Sequence, residues 1–573
     1  MKLQTVLPLL LIFLFQYQLL FAADNKSTNS EDKAILLGQQ IYRQGVLPSG
    51  EPVQALVMGD IPFDGRMFTC SNCHQRSGLG SREGTVITWP VNGRELAAPR
   101  KRTGAFRQSS DSGAMKGSHG KLPEYFQVPD VRPPYNDETL ARVIRTGVDS
   151  AGNRLNNVMP RYQLDDAAMA LLINYLRHLS TIVSPGVDDT TLQFATVIGG
   201  DVTEEEKSAM LSVLQAHIDA HNAQTRNEEK RAAAGPFFHS EKNQAYRRLT
   251  LHIWQLHGPD DTWRKQLEQY YQQQPVFALL GGIARGSWAP IHTFSEDNKI
   301  PCIFPVTDLP VLSDSDWYTL YFTRGKYQEG DSAARYLKKN IADPQAVEIV
   351  QVYGEGDMHG ATLARGFATT WQKLGGTTVR DLVLKGDDTF PSQILDEIFT
   401  ASSSVVLLIW LSDEYKQAYH FLTTQYIDRT VLTIGSLTLL QENIAFVPDT
   451  AREKMVFTYP FSTRQDDAAS RMVVERWLKT HSIPLIDINI QAKMYFLGWM
   501  LPGALKSMRS EYFRDYFMER FDMMPDQNYA IAIYPRLSFG PGQRYAAKRG
   551  CYIVKITNGE HPKVVPLSDW MIY

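Results

Sequence analysis

Val276-Phe277-Ala278-Leu279-Leu280-Gly281-Gly282 is an apolar run that stops on paired glycines, the pattern of a strand meeting a loop. Before it, Trp263–Gln273 has helical spacing and Leu249–Leu256 reads as another strand. Further upstream, the strand Phe194–Ile198 enters Gly199-Gly200-Asp201 and the helical stretch Glu204–Ala220. Downstream the rhythm continues through the strands Cys302–Pro305, Val347–Val352, Thr378–Leu384, Ser404–Trp410 and Thr430–Ile434, with helical stretches between them. Strands alternating with helices argue for parallel, doubly wound sheets. The stretch is too long for one sheet and suits two lobes.

The pattern changes on the N-terminal side of Ser180–Thr191, where Pro185, Gly186, Asp188 and Asp189 mark a linker, placed at 182–193. At 573 residues the chain exceeds what one core usually organises. A hydrophobic fraction of 43% and a charged fraction of 21% are those of an ordinary globular protein. A formal net charge of -3 gives no reason to invoke nucleic acid. Lys2, the apolar run Val6–Phe15 and the small pair Ala22-Ala23 read as an export signal over 1–23, which implies a periplasmic mature protein. The competing reading is an uncleaved anchor, against which Gln16, Tyr17 and Gln18 interrupt the apolar segment.

The cysteines carry the most specific signal. Cys70-Ser71-Asn72-Cys73-His74 has the spacing of covalent haem attachment, in which two thiols add to porphyrin vinyl groups and the following imidazole meets the iron. A redox dithiol or half of a zinc site are the alternatives, and a zinc site needs two further ligands. The other two cysteines, Cys302 and Cys551, are remote and leave the question of a disulfide between them open. For a second axial ligand, Met159 in Asn157-Val158-Met159-Pro160-Arg161-Tyr162 precedes an amphipathic run through Met169, Leu172, Ile173, Leu176 and Leu179, with Asp165 as its N-cap. Met115, with His119 behind it, is the competing candidate.

Residues 32–181 resemble the class I cytochromes c. The resemblance rests on the attachment motif, on the Met159-Pro160 loop before a closing helix, and on Ala34–Tyr42 with its Gly38-Gln39-Gln40-Ile41-Tyr42 stretch. It implies an all-α domain with one haem c, bound through Cys70 and Cys73 and ligated by His74 and Met159. A polar insert from about Ala98 to Val128 departs from the family and reads as a surface excursion.

Residues 194–573 resemble the type I periplasmic solute-binding proteins of the branched-chain amino-acid group. Ala278-Leu279-Leu280-Gly281-Gly282 through Ile300-Pro301, and Val350-Gln351-Val352-Tyr353-Gly354 through Phe367 and Leu374-Gly375-Gly376, carry the likeness. It implies a two-lobed α/β fold, with one lobe at 194–325 and 462–525 and the other at 326–461 and 526–573. It also implies a ligand between the lobes near Ser287, Thr307, Asp308, Trp410 and the adjacent Arg285. The family's acid for a ligand ammonium falls near Leu437, a departure that puts an amino-acid ligand in question. Solvation for Arg285, helix capping for Ser287 and sheet packing for Trp410 are the competing readings.

Together these residues favour a multidomain, non-enzymatic periplasmic mono-haem cytochrome. It would transfer single electrons with a redox partner, a dehydrogenase or another cytochrome, and would carry a C-terminal binding domain for a small organic ligand such as a carboxylate. The alternative is an ABC-permease solute receptor, or a ligand sensor, with an accessory haem.

Overall fold

The structure is a computed structural model. It describes residues 30–570 apart from 59, 84–85, 101–131, 226–246, 388–391, 403, 464–465, 525–532, 536, 548–549 and 560. The expected export signal, the body of the polar insert and Met115 lie outside the described residues. The chain forms two compact units, Met1–Val183 and Ser184–Tyr573.

In the first unit, helices at 30–44, Cys70–His74, Gly93–Ala97, Asp137–Thr146 and Asp166–His178 surround a core of Ile41, Tyr42, Leu140, Val143, Leu172, Tyr175 and Leu176, among others. The capping signals act as the sequence reads. The Asp165 carboxylate accepts the Ala168 N–H at 2.7 Å, starting the closing helix. The helix Asp137–Thr146 opens on an Asn136/Thr139 capping box and ends on left-handed Gly147. Gly38 is needed for close helix crossing, since a Cβ there would lie 2.2 Å from the Leu171 carbonyl oxygen and 2.7 Å from Tyr175 Cβ.

The expectation of an all-α unit is corrected by a three-stranded antiparallel sheet in the order Ile61–Asp64, Gln54–Val57, Arg161–Gln163. These strands are three or four residues long, too short to display a period in the sequence. They form because residues distant in the chain supply the missing backbone partners.

The second unit has a two-lobed α/β architecture built on two separate sheets. The first sheet runs Thr319–Leu320, Cys302–Ile303, Ala278–Leu280, Thr191–Gly199, Arg248–Gln255, all parallel, with Ile283–Ala284 paired to Thr191–Gly199. The second runs Val379–Leu384, Glu348–Gly354, Val405–Trp410, Leu432–Ser436, Met455–Tyr459 in parallel, then Tyr552–Ile556 and Val564–Pro566 antiparallel. Val405–Trp410 is buried at every position, as befits a central strand covered on both faces. The long helix Ile488–Met508 returns to pack on Glu204–Thr225 of the first lobe.

The chain passes between the lobes after Leu320, after Tyr459 and between Asp522 and Tyr552. Two of these crossings run side by side, with Tyr321 N–H donating to the Arg544 carbonyl (2.8 Å) and Ala546 N–H to the Tyr321 carbonyl (3.0 Å). Buried Arg514 donates to the carbonyls of Val276 (2.6 Å), Phe277 (3.0 Å) and Asn298 (3.2 Å), fastening the helix Arg514–Asp522 to the first sheet. Cys302 and Cys551 are both buried and free, so no disulfide joins them.

Candidate functional site

The first crossing carries a cluster of charge. Asp308 follows the strand Cys302–Ile303, and Lys326 opens the helix Lys326–Asn340 of the second lobe. Lys326 N–H donates to the Asp308 carbonyl at 3.0 Å, and Gly325 between them sits at φ 58 and ψ -139. A Cβ on Gly325 would lie 2.0 Å from the Asp308 carbonyl oxygen, so a side chain is excluded there.

Lys326 is only 2% exposed. Its ammonium donates to Glu329 Oε1 at 3.2 Å and to Thr438 Oγ1, and lies 3.7 Å from Asp308 Oδ2. Glu329 in turn accepts the hydroxyls of Thr438 (2.7 Å), Ser436 (2.8 Å) and Thr458 (2.8 Å). A buried ion pair is tolerable where hydrogen bonds fill its remaining valences, as here. The pair joins the helix start to the ends of two strands of the second sheet.

Asp308 itself faces solvent, its side chain 58% exposed. Partial desolvation by the surrounding chain works to raise its carboxyl, but the fields of Lys326, Lys493, His359 and Arg285 outweigh that and hold it below the usual carboxylate value. These neighbours come from both lobes. Gly286 lies against the second lobe, a Cβ on it falling 3.8 Å from the terminal methyl of Met358, beside His359. Charged groups of both lobes therefore act on Asp308 beside the crossing at Gly325.

Of the residues expected to line a pocket, Asp308 and Arg285 meet in this field. Arg285 is ion-paired with Glu206. Ser287 Oγ accepts the Ala289 N–H at 3.2 Å without being the cap of the helix Ala289–Asp297, whose N-cap is Trp288, and Thr307 Oγ1 accepts the Leu309 N–H at 3.1 Å. Trp410 is corrected: it is 0% exposed and its indole N–H donates to Gln351 Oε1 at 3.2 Å, inside the second sheet. Leu437 is core.

Sequence reading missed Lys326, Glu329, His359 and Lys493. The Lys326/Glu329 spacing of three and the isolated charge of Lys493 in the apolar run 488–505 were the available signals.

In the first unit, Thr69 caps the helix Cys70–His74, and neither Cys70 nor Cys73 is in a disulfide. Burial pushes the Cys70 thiol up to about 12, so it is protonated. His74 Nδ1 lies 2.9 Å from the Trp89 carbonyl, which can only accept, so Nδ1 carries the proton and Nε2 keeps a lone pair. Burial lowers the His74 pKa, favouring the neutral imidazole. Met159 occupies the turn before Arg161–Gln163, and three residues on, Tyr162 hydroxyl donates to the Phe68 carbonyl at 2.6 Å, tying that segment to the cysteine helix.

Arg100 packs 4.7 Å from the Trp89 ring centroid, with Nε and Nη2 buried and without partners among the described residues. Two thiols one turn apart, a neutral imidazole and waiting guanidinium donors are a set that fits an iron porphyrin with carboxylate side chains.

No protein-family model and no curated protein matches the chain. Solved structures similar to it include a fatty acid ABC transporter substrate-binding protein from Thermomonospora curvata, at 17% identity and TM-score 0.42, covering 67% of this chain and 94% of that one. An ABC transporter substrate-binding protein from Sphaerobacter thermophilus matches at 13% identity and TM-score 0.47, covering 66% and 97%. A solute-binding protein of R. palustris in complex with benzoate matches at 13% identity and TM-score 0.43, covering 67% and 97%. At these identities the likeness concerns the fold alone.

All three are described as substrate- or solute-binding proteins, and none is described as a cytochrome. The reading of the chain as a one-electron carrier, with a dehydrogenase or second cytochrome as its redox partner, is accordingly withdrawn. Among the described residues, no helix is long and apolar enough to cross a membrane.

Proposed function

We propose that this chain is an exported, periplasmic receptor for a small organic solute, delivering it to an ABC permease, and that its first unit carries one covalent haem c as an accessory group. The observation that carries the receptor reading is the meeting of charged groups from both lobes around solvent-facing Asp308, directly over the glycine pivot at Gly325. A cleft at a hinge couples occupancy to lobe closure, because ligand contacts from both sides are complete only in the closed form.

For the haem, Cys70 and Cys73 would form the thioethers, His74 and Met159 would be the axial ligands, and Arg100 would meet a propionate. When bound, such a group supplies a redox-active iron held irreversibly in the protein. The cytochrome c-like character of the first unit belongs to the same proposal.

Thermal-shift screening of the full chain against small acids, alcohols, amides and sugars tests the receptor reading. One stabilising solute supports it, and a flat response across all four classes defeats it. A pyridine haemochrome spectrum of protein made with a haem-ligation system tests the second half. Colour that survives acidic acetone and is lost in the Cys70→Ala/Cys73→Ala double variant is the expected result.

A further inference from the structure

The strand Arg161–Gln163 sends two neighbouring side chains in opposite directions, as successive residues of a strand do. Tyr162, buried, reaches the Phe68 carbonyl beside the cysteine helix. Arg161 turns back on the loop that precedes the strand. Its Nη1 donates to the Met159 carbonyl at 2.5 Å, and Nη2 to the carbonyls of Leu155 at 3.2 Å and Asn156 at 3.5 Å. One guanidinium thus gathers three carbonyls from the stretch 155–159.

Leu155 N–H donates to the Gly147 carbonyl at 2.8 Å, and beyond it the other hydrogen bonds among the described residues stay inside the loop. Met159 N–H donates to the Asn156 carbonyl (3.2 Å) and Val158 N–H to Asn156 Oδ1 (3.0 Å). The guanidinium lies against the end of the helix Asp137–Thr146. A Cβ on Gly147 would fall 2.1 Å from Arg161 Cζ and 2.2 Å from its Nε and Nη2. Glycine therefore serves twice there, for its φ of 74 and for the space that the guanidinium fills. A planar guanidinium offers five donors in a rigid fork, which suits it to hold several carbonyls at once.

We infer that Arg161 is the positioning residue that holds the Met159 loop in place. It thereby decides whether the Met159 sulfur or an outside ligand takes the second axial position on a haem iron. This rests on the accessory-haem half of the reading above and adds to it the control of that position. The loop moves away only when the hydrogen bonds from one charged group to three carbonyls are given up together. Removing the guanidinium raises the population of the displaced loop, and the apparent affinity of an outside ligand rises by the same factor.

The test uses the full chain made with a haem-ligation system, as wild type, Arg161→Leu, Arg161→Gln and the control Arg145→Leu. Arg145 likewise donates twice to a carbonyl of the first unit, that of Leu164 (3.0 and 2.8 Å), but lies outside the Met159 loop. Two signals are read: the far-red sulfur-to-iron charge-transfer band of the ferric protein, and a titration with imidazole followed in the visible spectrum. Wild type is expected to show the band. Arg161→Leu should lose most of it and bind imidazole about tenfold more tightly. Arg161→Gln keeps two donors and should fall between. Arg145→Leu should lower the melting temperature and leave both signals as in wild type.

A folded Arg161→Leu with the wild-type band and imidazole affinity overturns the inference. So does a wild type that carries haem without the band, or an Arg145→Leu that weakens the band as much as Arg161→Leu. Far-UV circular dichroism establishes that each variant is folded. If Arg161→Leu does not fold, Arg161→Gln decides alone, by a weaker band with tighter imidazole binding or by neither change. A colourless wild type defeats the accessory-haem reading itself, and the inference falls with it. A coloured protein whose signals ignore Arg161 leaves that reading standing and removes the inference alone.

Discussion

Lys326 and Lys493 are the same residue type, both nearly buried, on elements of opposite lobes, and they differ in one respect. The ammonium of Lys326 is surrounded by Glu329, Thr438 and Asp308, whereas that of Lys493 has only an aromatic face within reach. Burial depresses a lysine, but Glu329 and Asp308 outweigh it at Lys326, whose pKa is raised. At Lys493 burial prevails and the pKa is lowered. The contrast separates two uses of a buried charge. One is satisfied within the fold and pins a helix; the other has no hydrogen-bond acceptor and no ion pair among the described residues.

The largest effect is expected from breaking the satisfied cluster. Glu329→Ala leaves Lys326 buried without its counter-charge and should cost about 3–5 kcal/mol, read as a lower urea midpoint at unchanged slope.

Next comes a third buried base, His217, stacked on Trp477 at 4.4 Å with Nε2 unpartnered. Burial, aided by His481, lowers its pKa to about 4. Since the unfolded chain takes up this proton near pH ~6.5, stability is complete above that value and is lost as pH falls towards 4, by about 2–3 kcal/mol. A His217→Gln variant should show a flatter melting temperature between pH 7 and 4.

Removing the bare charge should act in the opposite direction. Lys493→Met is expected to raise the stability of the ligand-free protein by about 1 kcal/mol at pH 7. The folded protein holds Lys493 less readily as a cation than the unfolded chain does. Its destabilising influence is therefore full below the lowered folded pKa and fades as pH climbs to the ordinary lysine value, where wild type and variant should converge in melting temperature.

The smallest effect belongs to Trp410→Phe, which loses one hydrogen bond to Gln351 and should cost about 1 kcal/mol with solute affinity unchanged. A matching loss of affinity would return Trp410 to the cleft.

What could be read in the chain beforehand follows the distance over which each feature is encoded. The cysteine helix and its capping Thr69 are contiguous, and the alternation of strands and helices repeats within short windows. Such features need no knowledge of the tertiary contacts. Glu329 meets Ser436 and Thr458 across more than a hundred residues, and nothing local in the sequence marks those hydroxyls as its partners. The sheet of the first unit was hidden for the same reason, since Gln54–Val57 is completed by Arg161–Gln163. Trp410 misled because the end of a strand is where family ligands sit, while here helices cover the whole run Val405–Trp410 on both faces.

Gly325 has a consequence of its own. At φ 58 and ψ -139, against the Asp308 carbonyl, it occupies a conformation open in practice to one amino acid in twenty. On the receptor reading proposed above, the neighbouring position His359 is under no such restriction, and a substitution there would alter what is recognised without touching Gly325. Evolution can thus retune selectivity here while leaving the mechanical element as it is, because recognition and motion are assigned to different positions in the chain.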